Sequence, residues 1–198
     1  MNRVALEIGS RAIVSGGTAV DFYAANASGT SEGYPAKWRP SGDVDVVVLS
    51  AEGALPGAER LQDALGRRLG ITPLFPGAPR AMRIDRFAYG LDVFGSELER
   101  DPKGERVVTV LIDDVHPVHV RGPEDTILAY GESGWDTRFT RDWERALAAF
   151  AAMKDRLDLS WMYAEADRRK QRRVVDAVVA MRPSPWRQRM AQRRTMTE

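Results

Sequence analysis

The chain has 198 residues and a mass of 22.0 kDa, enough for one compact domain with a good core or for one core plus a small helical annex, and too little for two full-sized domains. At 43% hydrophobic and 29% charged residues it reads as a folded globular protein, and its longest apolar run, the stretch 146–153, falls far short of the roughly 20 residues that a bilayer requires and excludes a membrane-spanning helix. With no cysteine there is no disulfide framework, cysteine zinc site or thiol nucleophile, and Met1-Asn2-Arg3-Val4 opens no apolar signal segment, so a cytoplasmic setting is the expectation.

The net charge of +1 is unevenly spread. From Arg168 onward, ten Arg and Lys residues face only Asp176 and Glu198, so this end carries eight excess positive charges and the rest of the chain about seven negative ones. A basic tail on an acidic body suits a polyanion at the tail and cations in the body, although a solvated, frayed terminus has the same composition.

In chain order, the pattern predicts a strand over 12–14, a turn at Ser15-Gly16-Gly17 and a short apolar helix over 18–25. Residues 26–42, rich in Gly, Ser, Pro and Ala, form a long loop whose large apolar groups are Tyr34 and Trp38. Asp-Val-Asp-Val-Val-Val-Leu at 43–49 is apolar on both faces after Asp45, as in a central strand. A helix over 58–69 places Leu61, Ala64, Leu65 and Leu69 at helical spacing. Strands follow over 81–87 and 91–94, then a hairpin of 106–112 with 115–120 turning at Asp113-Asp114. Gly122-Pro123-Glu124-Asp125 starts a helix, with proline in the first turn and two carboxylates at the positive end of the dipole. Helices over 140–157, 160–169 and 172–181 follow, the first carrying Trp143, Leu147, Phe150 and Leu157 on one stripe. Pro183 and Pro185 end the pattern. The fold class is therefore α+β: a mixed core over 1–121, a helical region over 122–182 and a basic tail over 183–198.

Asp43 and Asp45 stand two residues apart on a predicted strand, so both project from one face. Two adjacent anions at the start of an apolar strand repel and lose solvation, a cost that a shared divalent cation offsets. Magnesium takes such oxygen ligands and completes its shell from water and phosphate. The same spacing also fits a turn cap at Asp43 with Asp45 exposed at the strand edge. Ser15-Gly16-Gly17-Thr18, between a strand and a helix, lets backbone N–H groups approach an anion, or else simply packs a tight turn. It matches neither the P-loop nor the Rossmann pattern.

In this order the two elements resemble the signature of the nucleotidyltransferase superfamily that includes DNA polymerase beta: Val14-Ser15-Gly16-Gly17-Thr18-Ala19-Val20-Asp21-Phe22-Tyr23, then Ser41-Gly42-Asp43-Val44-Asp45-Val46-Val47-Val48. Gly90-Leu91-Asp92-Val93-Phe94 resembles the strand that supplies a third carboxylate. Asp85, between Ile84 and Arg86, reads instead as a paired surface residue. Val120-Arg121-Gly122-Pro123-Glu124-Asp125-Thr126-Ile127 resembles the Pro-Glu-Asp helix start of small bacterial and archaeal members, and Arg141-Asp142-Trp143 and Leu157-Asp158-Leu159 resemble their helical annex, so the likeness runs from about residue 13 to 166. Two departures stand out. The Gly17-to-Asp43 gap is long, and Tyr130 occupies a position usually basic, for which Lys37, Arg39 or Arg141 are candidate substitutes.

The resemblance implies two-metal phosphoryl transfer from an NTP. Asp43 and Asp45 would hold magnesium on the nucleotide phosphates, and Asp92 would help bind the second of two Mg2+ ions and activate the attacking hydroxyl. Ser15, Gly16, Gly17, Lys37 and Arg39 would bind the nucleotide. The acceptor would be an RNA, a protein or a small molecule, with the basic tail favouring RNA. A second reading is an inactive protein of this fold that binds a nucleotide or nucleic acid, or serves as a toxin–antitoxin partner. A homo-oligomer fits either reading. His116 and His119, three apart on a strand, lie on opposite faces and read as structural. Of the tryptophans, Trp143 and Trp161 read as core and Trp186 as the one suited to nucleic acid.

Overall fold

The computed structural model describes residues 2–26, 43–50, 54–69, 72–73, 81–83, 90–95, 106–112, 116–136, 140–186, 188 and 192. The chain divides into two compact units, Met1–Asp21 with Arg39–Gly122 and Phe22–Trp38 with Pro123–Glu198.

The first unit is built on a mixed sheet. A short helix α1 (Asn2–Glu7), unassigned by the apolar pattern, precedes β1 (Ser10–Ser15) and α2 (Gly16–Asn26). Then come β2 (Asp43–Ser50), α3 (Ala54–Leu69), β3 (Thr72–Pro73), β4 (Ala81–Arg83), β5 (Gly90–Gly95), β6 (Val107–Ile112) and β7 (His116–Arg121). Among the described residues the strand order is β3-β4-β5-β2-β1-β7-β6. Strand β2 runs antiparallel to β1 and parallel to β5, while β1 runs parallel to β7. The outer pairs β3–β4, β4–β5 and β6–β7 are antiparallel.

Alternation along β2 sorts its residues between two environments. Val46 and Val48 join Ala12 of β1 in a cluster with Val4 and Ala5 of α1 and Ala58, Leu61 and Leu65 of α3, with Val44 packed against it. The i, i+3, i+7 spacing of the α3 residues turns one apolar stripe onto the sheet, and burying each leucine is worth about 1.5–3 kcal/mol. Positions 43, 45 and 47 fall on the opposite sheet face, where Val47, Ile13 and Ser15 are also buried. The carboxylate positions thus lie away from the helix-covered face.

The second unit contains α4 (Pro123–Asp136), α5 (Thr140–Met153), α6 (Leu159–Arg168) and α7 (Arg172–Val179). Trp143 of α5 is fully buried, and its Nε1–H donates to the Arg182 carbonyl at 3.0 Å. A Cβ at Gly134 would collide with the Trp143 backbone, so glycine permits the close approach of α4 and α5 there. The helix expected over 140–157 instead ends at Met153, passes through one 3-10 turn (Lys154–Arg156) and becomes extended at Leu157. The reason is the next helix: Asp158 serves as its N-cap, accepting the Trp161 N–H at 3.0 Å, and a capping residue must leave helical geometry. Leu157 therefore drops out of the expected stripe, which is carried by Trp143, Ala146, Ala149 and Phe150.

Candidate functional site

The turn from β1 into α2 and the first residues of β2 come together in the first unit. Ser15, the last residue of β1, is the register partner of Asp45, and Asp45 is in turn the register partner of Asp92 across the parallel β2–β5 pair. Asp43 pairs with Gly90 two residues earlier. Positions 43, 45 and 92 consequently occupy one face of two adjacent strands. Parallel pairing brings a residue from an element more than forty positions later beside the Asp-x-Asp pair, which local spacing alone does not reveal. The side chain of Asp45 is described; those of Asp43 and Asp92 are outside the described set, as are Lys37, Arg39 and Asp85 altogether.

Gly16 opens α2 with φ at +60°, a conformation unfavourable for any residue with a Cβ. A Cβ built there would also fall on the Asp45 carboxylate. Both constraints select glycine. The next residue, Gly17, donates its backbone N–H to Asp45 Oδ2 at 3.3 Å. This N–H belongs to the first turn of a helix, where donors have no intrahelical partner and the dipole favours negative charge. The turn therefore already receives one carboxylate oxygen, and its helix begins at Gly16, two residues before the expected start.

Within the second unit the Pro-Glu-Asp segment does more than start a helix. Glu124 accepts the Asp158 N–H at 2.9 Å, tying α4 to the α6 N-terminus. Asp125, only 1% exposed, accepts from the Arg169 guanidinium at 2.9 Å. Arg169 also pairs with Glu165 at 2.6 Å and approaches Glu132 at 3.7 Å. Hydrogen bonding from Arg168, opposed by burial and reinforced by Arg169, holds the Glu165 carboxyl down at about 2. Desolvation, with the Glu124 charge adding to it, pushes the buried Tyr23 phenol well above its usual range. The apolar pattern held no signal for this network, because its members sit at polar positions on separate helices.

Tyr130 lies on α4 where the resemblance anticipates a base. Arg145 of α5 donates to the Tyr130 hydroxyl at 3.2 Å and lies over its ring at 5.2 Å. A guanidinium thus stands at this place, supplied by Arg145 of α5, while Arg141 is exposed and Lys37 and Arg39 lie outside the described residues.

The first part of the basic C-terminal stretch is largely engaged within the chain. Arg168 and Arg169 bind Glu165, Arg172 binds Asp167 at 2.7 Å and lies over Tyr163, and Arg173 lies over Trp135. Trp161, expected in the core, is partly exposed, as is Trp186, and most of 187–198 lies outside the described residues. On β7, His119 Nδ1 is 2.9 Å from the Thr109 hydroxyl, and His116 is exposed at the strand start. Among the described residues, no group of three His, Cys, Asp or Glu side chains is placed to hold a metal, and no helix is long and apolar enough to cross a membrane.

No protein-family model and no curated protein matches the chain. Among solved structures, it superposes on an antigenic nucleotidyltransferase-like protein from Paracoccidioides brasiliensis with a TM-score of 0.54 and 14% identity, over 92% of this chain and 91% of that one. It also matches the Megavirus polyadenylate synthase at a TM-score of 0.44 and 14% identity, over 76% of this chain and 29% of that one. At this identity the first of these likenesses speaks to fold. The chain has a nucleotidyltransferase-type fold, an α+β core with a mixed sheet flanked by helices and a helical region after it.

Proposed function

We propose that the protein is a magnesium-dependent nucleotidyltransferase that moves a nucleoside monophosphate from an NTP to an acceptor hydroxyl. The observation that carries this reading is the β2–β5 register, which sets Asp92 beside Asp45 and one pair away from Asp43, with the Gly16–Gly17 turn against the same carboxylate. An all-oxygen donor set of carboxylates suits Mg2+, which keeps water and phosphate in its remaining positions. Bound there, magnesium would neutralise the phosphates and favour the alkoxide form of the acceptor.

The chain's own residues have separable tasks. Asp43 and Asp45 provide the charge that opposes the cations on one strand, and Asp92 provides it from the neighbour. Gly16 and Gly17 leave room for a phosphate, and the Gly17 N–H, now on Asp45, is a donor suited to a phosphate oxygen. Ser15 stands in register beside Asp45. In the transfer, the acceptor oxygen bonds to the α-phosphorus while the bond to the bridging oxygen breaks. Pyrophosphate leaves, and the acceptor proton passes to a base or to water. Positioning and charge compensation are the protein's main contribution. The acceptor is an RNA, a protein or a small molecule, and the tail beyond Arg182 is the segment through which a polyanion would be held.

The test is calorimetric titration with each NTP, with and without magnesium, on the wild type, on Asp43→Asn/Asp45→Asn and on Asp92→Asn, followed by transfer of labelled nucleotide. Expected is magnesium-dependent binding that the double variant loses, and a fall in transfer on the order of 100-fold or more for Asp92→Asn. No NTP binding by the folded wild type would overturn the reading in favour of a binding module that has kept only the fold.

A further inference from the structure

The two ends of the sheet are finished differently. At one end, β3 is two residues long and contains Pro73, both features that discourage further pairing. At the other, β6 is six residues of Val-Val-Thr-Val-Leu-Ile, with no charge, proline or glycine. Two of its side chains, Val108 at 37% and Leu111 at 56%, are among the exposed large hydrophobics. Among the described residues no strand lies beyond β6.

The β6–β7 register fixes which backbone groups face that edge. Antiparallel pairs alternate between hydrogen-bonded and non-hydrogen-bonded. Gly122 N–H donates to the Arg106 carbonyl at 2.6 Å, so the pair one step beyond Val107↔Arg121 is of the bonded kind. By alternation Val108, Val110 and Ile112 bond to β7, whereas Val107, Thr109 and Leu111 do not. Pro117, the partner of Leu111, agrees: it has no N–H, and its carbonyl accepts from Asn2 Nδ2 at 2.9 Å. The N–H and C=O groups of Val107, Thr109 and Leu111 are therefore directed away from β7, at an edge that no strand among the described residues covers.

We propose that this edge pairs with β6 of a second copy of the chain, making a two-fold dimer with one continuous sheet. A closed two-fold requires antiparallel pairing. A register centred on Thr109 engages all three outward-directed residues: Thr109 opposes Thr109 of the second copy and Val107 opposes Leu111, twice. Between them Val108 opposes Val110, so apolar groups face apolar groups on either side of the central Thr109 pair and no charged residue falls inside the paired stretch. The centre is a threonine pair, each hydroxyl bonded to its own His119 at 2.9 Å. In this register every outward-directed backbone pair and every side-chain position over 107–111 meets its match in the same strand, and that match is the ground for a second copy as the occupant.

The absence of native cysteine makes the test clean. Directly opposed, hydrogen-bonded residues have Cα atoms about 5.5 Å apart, within disulfide range, whereas Val107 lies four residues, about 13 Å, from its own copy. Thr109→Cys treated with oxidised glutathione is expected to form a covalent dimer, and Val107→Cys to form no cross-link under the same conditions. Sedimentation of the wild type should give twice the 22.0 kDa chain mass. Thr109→Pro, which removes an edge-directed N–H and no bond to β7, should sediment as a folded monomer by circular dichroism. Should that variant misfold, Leu111→Lys serves instead and is expected to weaken the dimer at least tenfold. A wild type that is monomeric at all concentrations would overturn the proposal, as would equal cross-linking of the two cysteine variants or a dimer untouched by both Thr109→Pro and Leu111→Lys.

Discussion

Replacing Gly16 by alanine tests the junction of β1, α2 and β2 directly. With φ at +60°, a Cβ-bearing residue at this position costs about 1–2 kcal/mol. The new Cβ also falls on the Asp45 carboxylate, which must move and release the Gly17 N–H that it holds at 3.3 Å. A hydrogen bond to a charged group contributes about 1.5–3 kcal/mol, and at this length the lower end applies. Together the cost is about 2.5–3.5 kcal/mol, a fall in midpoint of roughly 5–14 °C for a chain of this size. The informative measurement is a double-mutant cycle with Asp45→Ala, which removes the carboxylate and leaves Cβ, 2.7 Å from the position of the added methyl. In that background Gly16→Ala should cost the backbone strain and the relief of that remaining close contact but no hydrogen bond, so the two changes fall short of additivity by about 1.5 kcal/mol. Urea unfolding of the four proteins gives the coupling. Costs that add to within about 0.5 kcal/mol would refute the claim that Gly16 exists to accommodate Asp45.

Two predictions concern the second unit. Arg169→Met leaves Asp125 buried without its cation, and unfolding free energy should fall by about 3–5 kcal/mol; a loss below about 1 kcal/mol would mean the network is not a fastening. Glu165, whose carboxyl is held from its ordinary 4.5 down to about 2, contributes stability that is complete above pH 4.5 and lost as pH falls toward 2. At neutral pH Glu165→Gln should be less stable than wild type by up to about 3 kcal/mol, and the two should converge between pH 4.5 and 2; a gap constant across that window would refute the assignment.

The sequence was informative where a local pattern has one physical cause. The run of valines after Asp45 requires burial on both faces, and β2 lies between β5 and β1 with Val46, Val47 and Val48 buried. The Gly16-Gly17 pair beside a predicted helix marked a turn with room for an anion, and α2 begins there. Pro123 with two carboxylates marked the start of α4, since proline and negative charge both suit a first helical turn. Elsewhere local pattern was insufficient. The six-residue α1 has too few positions to display a period, and it is fixed by packing Val4 and Ala5 into the β1–β2–α3 cluster. The end of α5 was set by the capping need of Asp158, a contest between two helices for one residue.

The sequence by itself determined the α+β class, the order of the glycine turn and the Asp-x-Asp strand, and the acidic pair's shared face, because each depends on neighbours in the chain. Only the tertiary structure decided that Asp92 lies in register with Asp45, that Asp45 reaches the Gly17 N–H, and that Arg145 stands at Tyr130. It also decided that Arg168, Arg169 and Arg172 are bound to carboxylates of their own chain. Such pairings depend on strand order and helix packing, which are set by the burial of apolar surface over the whole chain, and the charged residues are then carried to wherever that burial puts them.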